Sequence, residues 1–411
     1  MRDGQLLEKD MQLPVEAESS AEELESWLYT LSGRWIAIIC LADIQRVYMD
    51  TLASHSLVYH PELRRLASTP GLIDAKLQPL FTATQLIERD YWYPAGCTAY
   101  QGVSRLLANH YLDLATFESI RHWPLSNSNL EVAGNWVDNI PVLATLMRQQ
   151  FGACATRMPV RIGLTAGLES RVMLACSKDI QPAPLYWTRS DKSASKYQDI
   201  KTASVLAHRF ALQHVTLPFT SEFNCDDADI EQFLLNTGYC VGGSPLKSHK
   251  LIDSAGPCFA FSGIGGEVAR DFYNAAKVGS ALSARNLLQL TGLPELPQLV
   301  VAIERYLDNL PKLEPQQQLA LFYLENRVSA FGAVHRYAYQ SGIVLLSPFS
   351  HRAIVHCMLT VPLAAQIDAQ FHKALIKACW PALLALPFNE PLDLKDKLHL
   401  LYQRVNRRLF N

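Results

Sequence analysis

Two acidic turns carry the chemistry open to this sequence. The first lies in Val160-Arg-Ile-Gly-Leu-Thr-Ala-Gly-Leu-Glu-Ser-Arg-Val-Met-Leu-Ala-Cys176. Its apolar, β-branched start reads as a buried strand and its part from Ser170 as a helix, with Thr165-Ala166-Gly167-Leu168-Glu169-Ser170 as the sharp turn between them. Small residues at such a turn leave backbone N–H groups at the helix N-terminus, which together with the helix dipole suit phosphate oxygens. The turn has neither the Lys of a Walker loop nor the three glycines of a dinucleotide fingerprint. The second turn lies in Cys258-Phe-Ala-Phe-Ser-Gly-Ile-Gly-Gly-Glu-Val-Ala-Arg-Asp-Phe-Tyr273, again an apolar strand, a glycine turn with an acid, and a helix. Carboxylates such as Glu169 and Glu267 are the hard ligands that Mg²⁺ takes.

The first turn resembles the Ser-Gly-Gly-x-Asp-Ser loop of the ATP pyrophosphatases, which split ATP into an adenylate and pyrophosphate. Within them it looks most like the synthetase domain of asparagine synthetase-like proteins. The second turn is similar to that family's Gly-x-Gly-x-Asp-Glu signature, and the two occur in the family's order. The resemblance implies ATP and Mg²⁺ as cofactors, with Glu169 and Glu267 standing where the family's aspartates bind the metal. It implies that Thr165, Ala166, Gly167, Ser170, Gly263, Gly265 and Gly266 surround the phosphates, and that Gly163-Leu164 and Trp187-Thr188 hold adenine. Glu169, Glu267 and Arg171 are then the catalytic set, Arg171 contacting phosphate beside the Thr165 and Ser170 hydroxyls. Trp187 reads either as a stacked ring or as a core residue. Asp199 reads either as a matched acidic position or as a first-turn acid favoured by the dipole, and Arg270 either as a second site cation or as an exposed salt bridge.

Three departures from the family's pattern bear on activity. Ile264 stands where amide-forming members have an acid, and the stretch 383–391 lacks the lysine of their late Arg-x-Lys loop, with Lys373, Lys377, Lys395 and Lys397 as undifferentiated substitutes. Glutamine-hydrolysing members begin Met-Cys, whereas the first cysteine here is Cys40, so glutaminase activity is not expected.

The elements that must position these turns follow from pattern. Residues 1–20 look variable, and short β-type runs at 34–41, 45–50, 56–60 and 65–69 suit an antiparallel layer, similar to part of the family's glutaminase-like domain over 21–125. A polar linker at 126–139 leads into the ATP-binding part, 140–411. There strands at 160–165, 184–188, 214–218 and 258–262 alternate with helices at 140–151, 170–177, 194–212, 221–236 and near 247–253. That alternation predicts an α/β fold with a doubly wound parallel sheet, which the resemblance implies is adenine nucleotide α-hydrolase-like, preceded by the small partial β domain. Beyond Ala275 the pattern is helical almost throughout, at about 284–291, 296–309, 315–340, 350–359 and 366–385. The tail 394–411 reads as a basic amphipathic helix, docked or facing a membrane surface or partner.

Composition narrows the classes. The 411 residues are 49% hydrophobic with a net charge of −2, which argues against a nucleic-acid binder. No apolar run is long enough for stable membrane insertion, no secretory signal is visible, and nine scattered cysteines without a Cys-x-x-Cys pair suggest a reducing cytoplasm. The reading is an ATP-dependent ligase that adenylates a small-molecule or peptide carboxylate for attack by an amine donor, with a protein partner possible. A catalytically degenerate nucleotide-binding or scaffolding subunit is the first alternative, and a tRNA-modifying ATP pyrophosphatase the second.

Overall fold

The computed structural model describes residues 1–7, 19–132, 135–190, 194–218, 227–240, 256–275, 282–332 and 342–392. Residues 1–7, read from sequence as part of a variable terminus, pack against the body: the Met1 Sδ lies 3.6 Å from the Cys154 Sγ. Ser20 and Glu23 start α1 (Ala21–Leu28) with a reciprocal cap, each side chain accepting from the other's amide. There follow β1 (Ile36–Cys40), β2 (Gln45–Met49), β3 (Val58–His60), β4 (Arg65–Ala67), α2 (Ala83–Arg89), β5 (Ser104–Arg105), β6 (His110–Asp113) and β7 (Ser119–Arg121). All pair antiparallel, in sheets ordered β1-β2-β6-β7 and β4-β3-β5. The sequence reading anticipated β1 to β4 but not β5 to β7, of which β5 has only two residues, too few to display a two-residue period.

The second half begins with α3 (Ile140–Ala155), β8 (Val160–Gly163), α4 (Leu168–Cys176), β9 (Leu185–Ser190), α5 (Ala194–Arg209), β10 (His214–Pro218), α6 (Asp227–Asn236) and β11 (Cys258–Phe261). It continues with α7 (Ala284–Thr291), α8 (Pro297–Asp308), α9 (Pro315–Phe322), a π-helical stretch Tyr323–Gly332, β12 (Ile343–Leu346), α10 (Arg352–Thr360), α11 (Leu363–Ile367) and α12 (Gln370–Cys379). The five strands form one parallel sheet ordered β10-β9-β8-β11-β12. From β8 the chain builds outward through β9 and β10, then returns to lay β11 on the other side of β8. Such a reversal opens a crevice at the carboxyl ends of the two central strands. Beneath the sheet Phe151 of α3 meets Phe261 of β11 with ring centroids 4.4 Å apart, each fully buried aromatic contributing about 1.5–3 kcal/mol.

Several expectations change. The region beyond Ala275 is not all helical, because Ile343-Val-Leu-Leu346 is the fifth parallel strand. The expected helix after Glu267 is one 3₁₀ turn, Gly266–Ala269. The expected long helix at 366–385 breaks at Ala369, which takes a left-handed conformation with φ 52°. The segments 221–226 and 247–253 and the basic tail lie outside the described residues. No helix among the described residues is long and apolar enough to cross a membrane.

A buried polar network joins the antiparallel sheets to the C-terminal helices. Glu325, on the π-helical stretch, accepts two hydrogen bonds from Arg121 at 2.6 and 2.7 Å, one from Asn109 at 2.8 Å and one from the Tyr306 hydroxyl at 2.8 Å. Arg352 of α10 donates to the Asn109 side-chain oxygen at 2.6 Å. Burial alone would push the Glu325 carboxyl up, but Arg121 and Asn109 hold it below its ordinary value.

Candidate functional site

The two acidic turns leave the carboxyl ends of neighbouring strands, β8 and β11, and they touch. Glu169 sits in the first turn of α4 and leans against the glycines of the second turn. A Cβ built on Gly263 would fall 2.5 Å from the Glu169 Cβ, and one on Gly266 would fall 2.8 Å from its Cγ. Gly265 is left-handed, with φ 92°, a conformation that a side chain would strain. Its amide donates to the Glu267 carboxylate at 3.0 Å, and the Tyr323 hydroxyl also bonds Glu267.

Glu169 is mostly shielded from solvent, and burial together with the nearby Glu267 charge raises its carboxyl to about 7. Arg270 opposes that shift, its Nε lying 2.7 Å from the Glu169 Oε1. The contact is one of charge, since neither atom has an aligned hydrogen bond. The fully buried His372 of α12 lies 3.8 Å from the same oxygen, its ring also in hydrogen-bond contact with the Gly266 backbone. Burial, then Arg270, pulls it down to about 3, so the ring is neutral.

Three amides of the first turn are already bonded. Thr165 N–H donates to the Ser170 hydroxyl (3.2 Å), Ala166 N–H to Asp199 (3.0 Å) and Gly167 N–H to the Thr165 hydroxyl (3.1 Å). Asp199, left open by the sequence, thus anchors α5 to this turn. The Leu164 amide donates to the Trp187 carbonyl (2.8 Å), and the Thr188 hydroxyl donates to the Leu164 carbonyl (2.7 Å). Trp187 is half-buried beside Gly163, where a Cβ would sit 3.9 Å from its ring. Gly163-Leu164 and Trp187-Thr188 are therefore brought together.

Arg171 does not face the turn's open side. It is fully buried and donates to the carbonyls of Leu383 (3.2 Å), Leu386 (2.9 Å) and Pro387 (3.2 Å), with its guanidinium 4.4 Å from the Phe388 ring. One helical residue beyond Ser170, it projects from a different side of α4, so the expected phosphate contact is replaced by a grip on the 383–388 segment. That segment then crosses the first turn: Asn389 N–H donates to the Ala166 carbonyl at 3.0 Å, and Gln198 donates to the Glu390 carbonyl at 2.7 Å. Ile264 has apolar surroundings at Gly332 and Val328, while its carbonyl accepts from Ser347 at 2.6 Å.

Sequence reasoning missed His372 and Tyr323, which stand on distant helices with no local motif. Asn389 belonged to the stretch marked for its missing lysine. Beside Glu267 and Arg270 a cleft lined by Tyr273, Gln316, Tyr323 and Gln366 leaves about 10 Å³ free, room for roughly one water. Among the described residues no three His, Cys, Asp or Glu side chains gather as a metal cage. Two convergent carboxylates still suit Mg²⁺, which is commonly held by one or two carboxylates plus substrate phosphates. The Glu169 Oε1 faces the Arg270 charge without an aligned hydrogen bond, a buried acid oxygen that a bound cation would satisfy. No family model matches the chain, and no curated protein matches it.

Proposed function

We propose that this chain is an ATP-dependent, AMP-forming carbon–nitrogen ligase of the asparagine synthetase-like kind, built on a doubly wound sheet. The observation that carries the reading is the convergence of Glu169 and Glu267 from the carboxyl ends of β8 and β11, where the strand order reverses. The residues fit Mg²⁺: Glu169 and Glu267 would hold it, and it would neutralise phosphate charge. A carboxylate oxygen attacks the α-phosphorus of ATP, the bond to the β-phosphate breaks, and pyrophosphate leaves. The amine nitrogen then attacks the acyl carbon, loses a proton and expels AMP. Arg270, the cation at the acids, stabilises charge on the departing pyrophosphate, which requires it to release Glu169. The Asn389 segment and the internally bonded turn must also open to admit a nucleotide.

A second reading rests on those same contacts. Arg270 already neutralises Glu169, the amides of Thr165, Ala166 and Gly167 are occupied, and Ile264 replaces an acid, features that favour a nucleotide-binding or scaffolding subunit without turnover. A tRNA-modifying activity finds no support in a net charge of −2. Pyrophosphate release from ATP and Mg²⁺, measured across a panel of carboxylates with ammonia or an amine, separates the readings. Release that Glu169→Ala abolishes supports the ligase. Nucleotide binding without release under any substrate favours the subunit, and absence of nucleotide binding defeats both.

A further inference from the structure

α4 and α12 both end in cysteine, and the helices pack so that the Cys176 and Cys379 sulfurs lie 3.6 Å apart. Cys176 is buried, with its sulfur 3.9 Å from the Met147 Sδ, while Cys379 is half-buried and reachable from solvent. Arg148 of α3 hydrogen-bonds Cys379, so a cation faces the more accessible sulfur. Formation of a bond needs the sulfurs to close to about 2.05 Å, a movement within reach of side chains at helix ends.

We propose that Cys379 and Cys176 are a redox modification site, in which a hydroperoxide oxidises Cys379 and Cys176 resolves it as an intramolecular disulfide. The Cys379 thiolate attacks the terminal oxygen of the hydroperoxide; the O–O bond breaks, the alkoxide leaves and takes up a proton, and the sulfur becomes sulfenic acid. The Cys176 sulfur then attacks the Cys379 sulfur, S–S forms, S–O breaks, and hydroxide departs as water with the Cys176 proton. Two thiols and one hydroperoxide thus yield one disulfide, one alcohol and one water.

The neighbouring thiols show why this pair stands apart. Burial pushes Cys97, Cys154, Cys240, Cys258 and Cys357 up, which keeps them protonated and inert. Hydrogen bonds from Cys176 and Arg148, with the Arg148 charge, instead draw Cys379 down to about 7 against its burial, while Cys176 is raised. The disulfide would fasten the end of α4 to the residues that lead, through Trp380 and the 3₁₀ turn Pro381–Ala385, into the segment over the Ala166 turn. The pair requires neither ATP nor the ligase reading.

The test treats the reduced full-length protein with one equivalent of hydrogen peroxide near neutral pH. Intact mass should fall by two hydrogens, and a non-reducing peptide map should join the peptides holding Cys176 and Cys379. Before oxidation, iodoacetamide should label Cys379 roughly tenfold faster than the buried Cys154 of the same molecule, whose thiol burial keeps protonated. Cys176→Ser should leave a sulfenic acid on Cys379 that a dimedone-type probe traps, and Cys379→Ser should remove the cross-link. Failure of wild type to cross-link, bridging to another cysteine, or labelling of Cys379 no faster than Cys154 would overturn the proposal.

Discussion

Gly263 and Glu169 are in contact across two turns that are distant in sequence, with only 2.5 Å between the Glu169 Cβ and the place a Gly263 Cβ would take. The glycine is therefore the room that Glu169 occupies. Gly263→Ala should force the α4 N-terminus away from β11 and destabilise the protein by about 1–3 kcal/mol, the usual range for overpacking. Denaturant melts of the variant and parent would check this; coincident curves would mean that the turns do not touch.

If the two acids hold one cation, they should act as a unit. Glu169→Ala and Glu267→Ala should each remove most Mg²⁺-dependent nucleotide binding, and the double variant should lose little more than either. Calorimetric titration of the four proteins with ATP, with and without Mg²⁺, gives the coupling. Simple additivity would place the cation elsewhere.

The Arg121–Glu325 pair should be the costliest polar contact to break. Glu325→Ala strands a buried guanidinium and removes the acceptor for Asn109 and Tyr306, so a loss of about 3–5 kcal/mol is expected. Urea unfolding followed by tryptophan fluorescence would measure it. A loss below about 1 kcal/mol, as for an exposed pair, would contradict the buried network.

Acid should unfold the protein partly through His110. Burial, then the Arg121 charge, lowers its pKa to about 4, whereas the unfolded chain protonates it near 6.5. The unfolded state thus binds the extra proton between those values. Stability from this group is complete above pH 6.5, falls as pH drops toward 4, and then levels off, a span of about 3 kcal/mol at most. His122, His351 and His356 are shifted the same way, so the wild-type slope reflects several groups. His110→Gln should flatten the fall in urea midpoint between pH 7 and pH 5; an unchanged slope would show that His110 is protonated in the folded protein.

The strands and turns flanking Glu169 and Glu267 were legible because each is local. An apolar run of strand length, glycines and a following acid lie within one stretch, and the alternation of strands with helices predicts parallel pairing. Strand β12 was not legible, since Ile343-Val-Leu-Leu346 is equally good as buried helix and only its place beside β11 decides. Arg171 shows the same limit in the site. Its type and spacing suited phosphate, yet the helix phase and the backbone carbonyls at 383–387 turn it the other way. Sequence alone determined that two acidic strand-end turns exist. Only tertiary structure decided that they meet, because the order β9-β8-β11 sets those turns side by side, and packing of later elements brings His372, Tyr323 and Asn389 to them from distant parts of the chain.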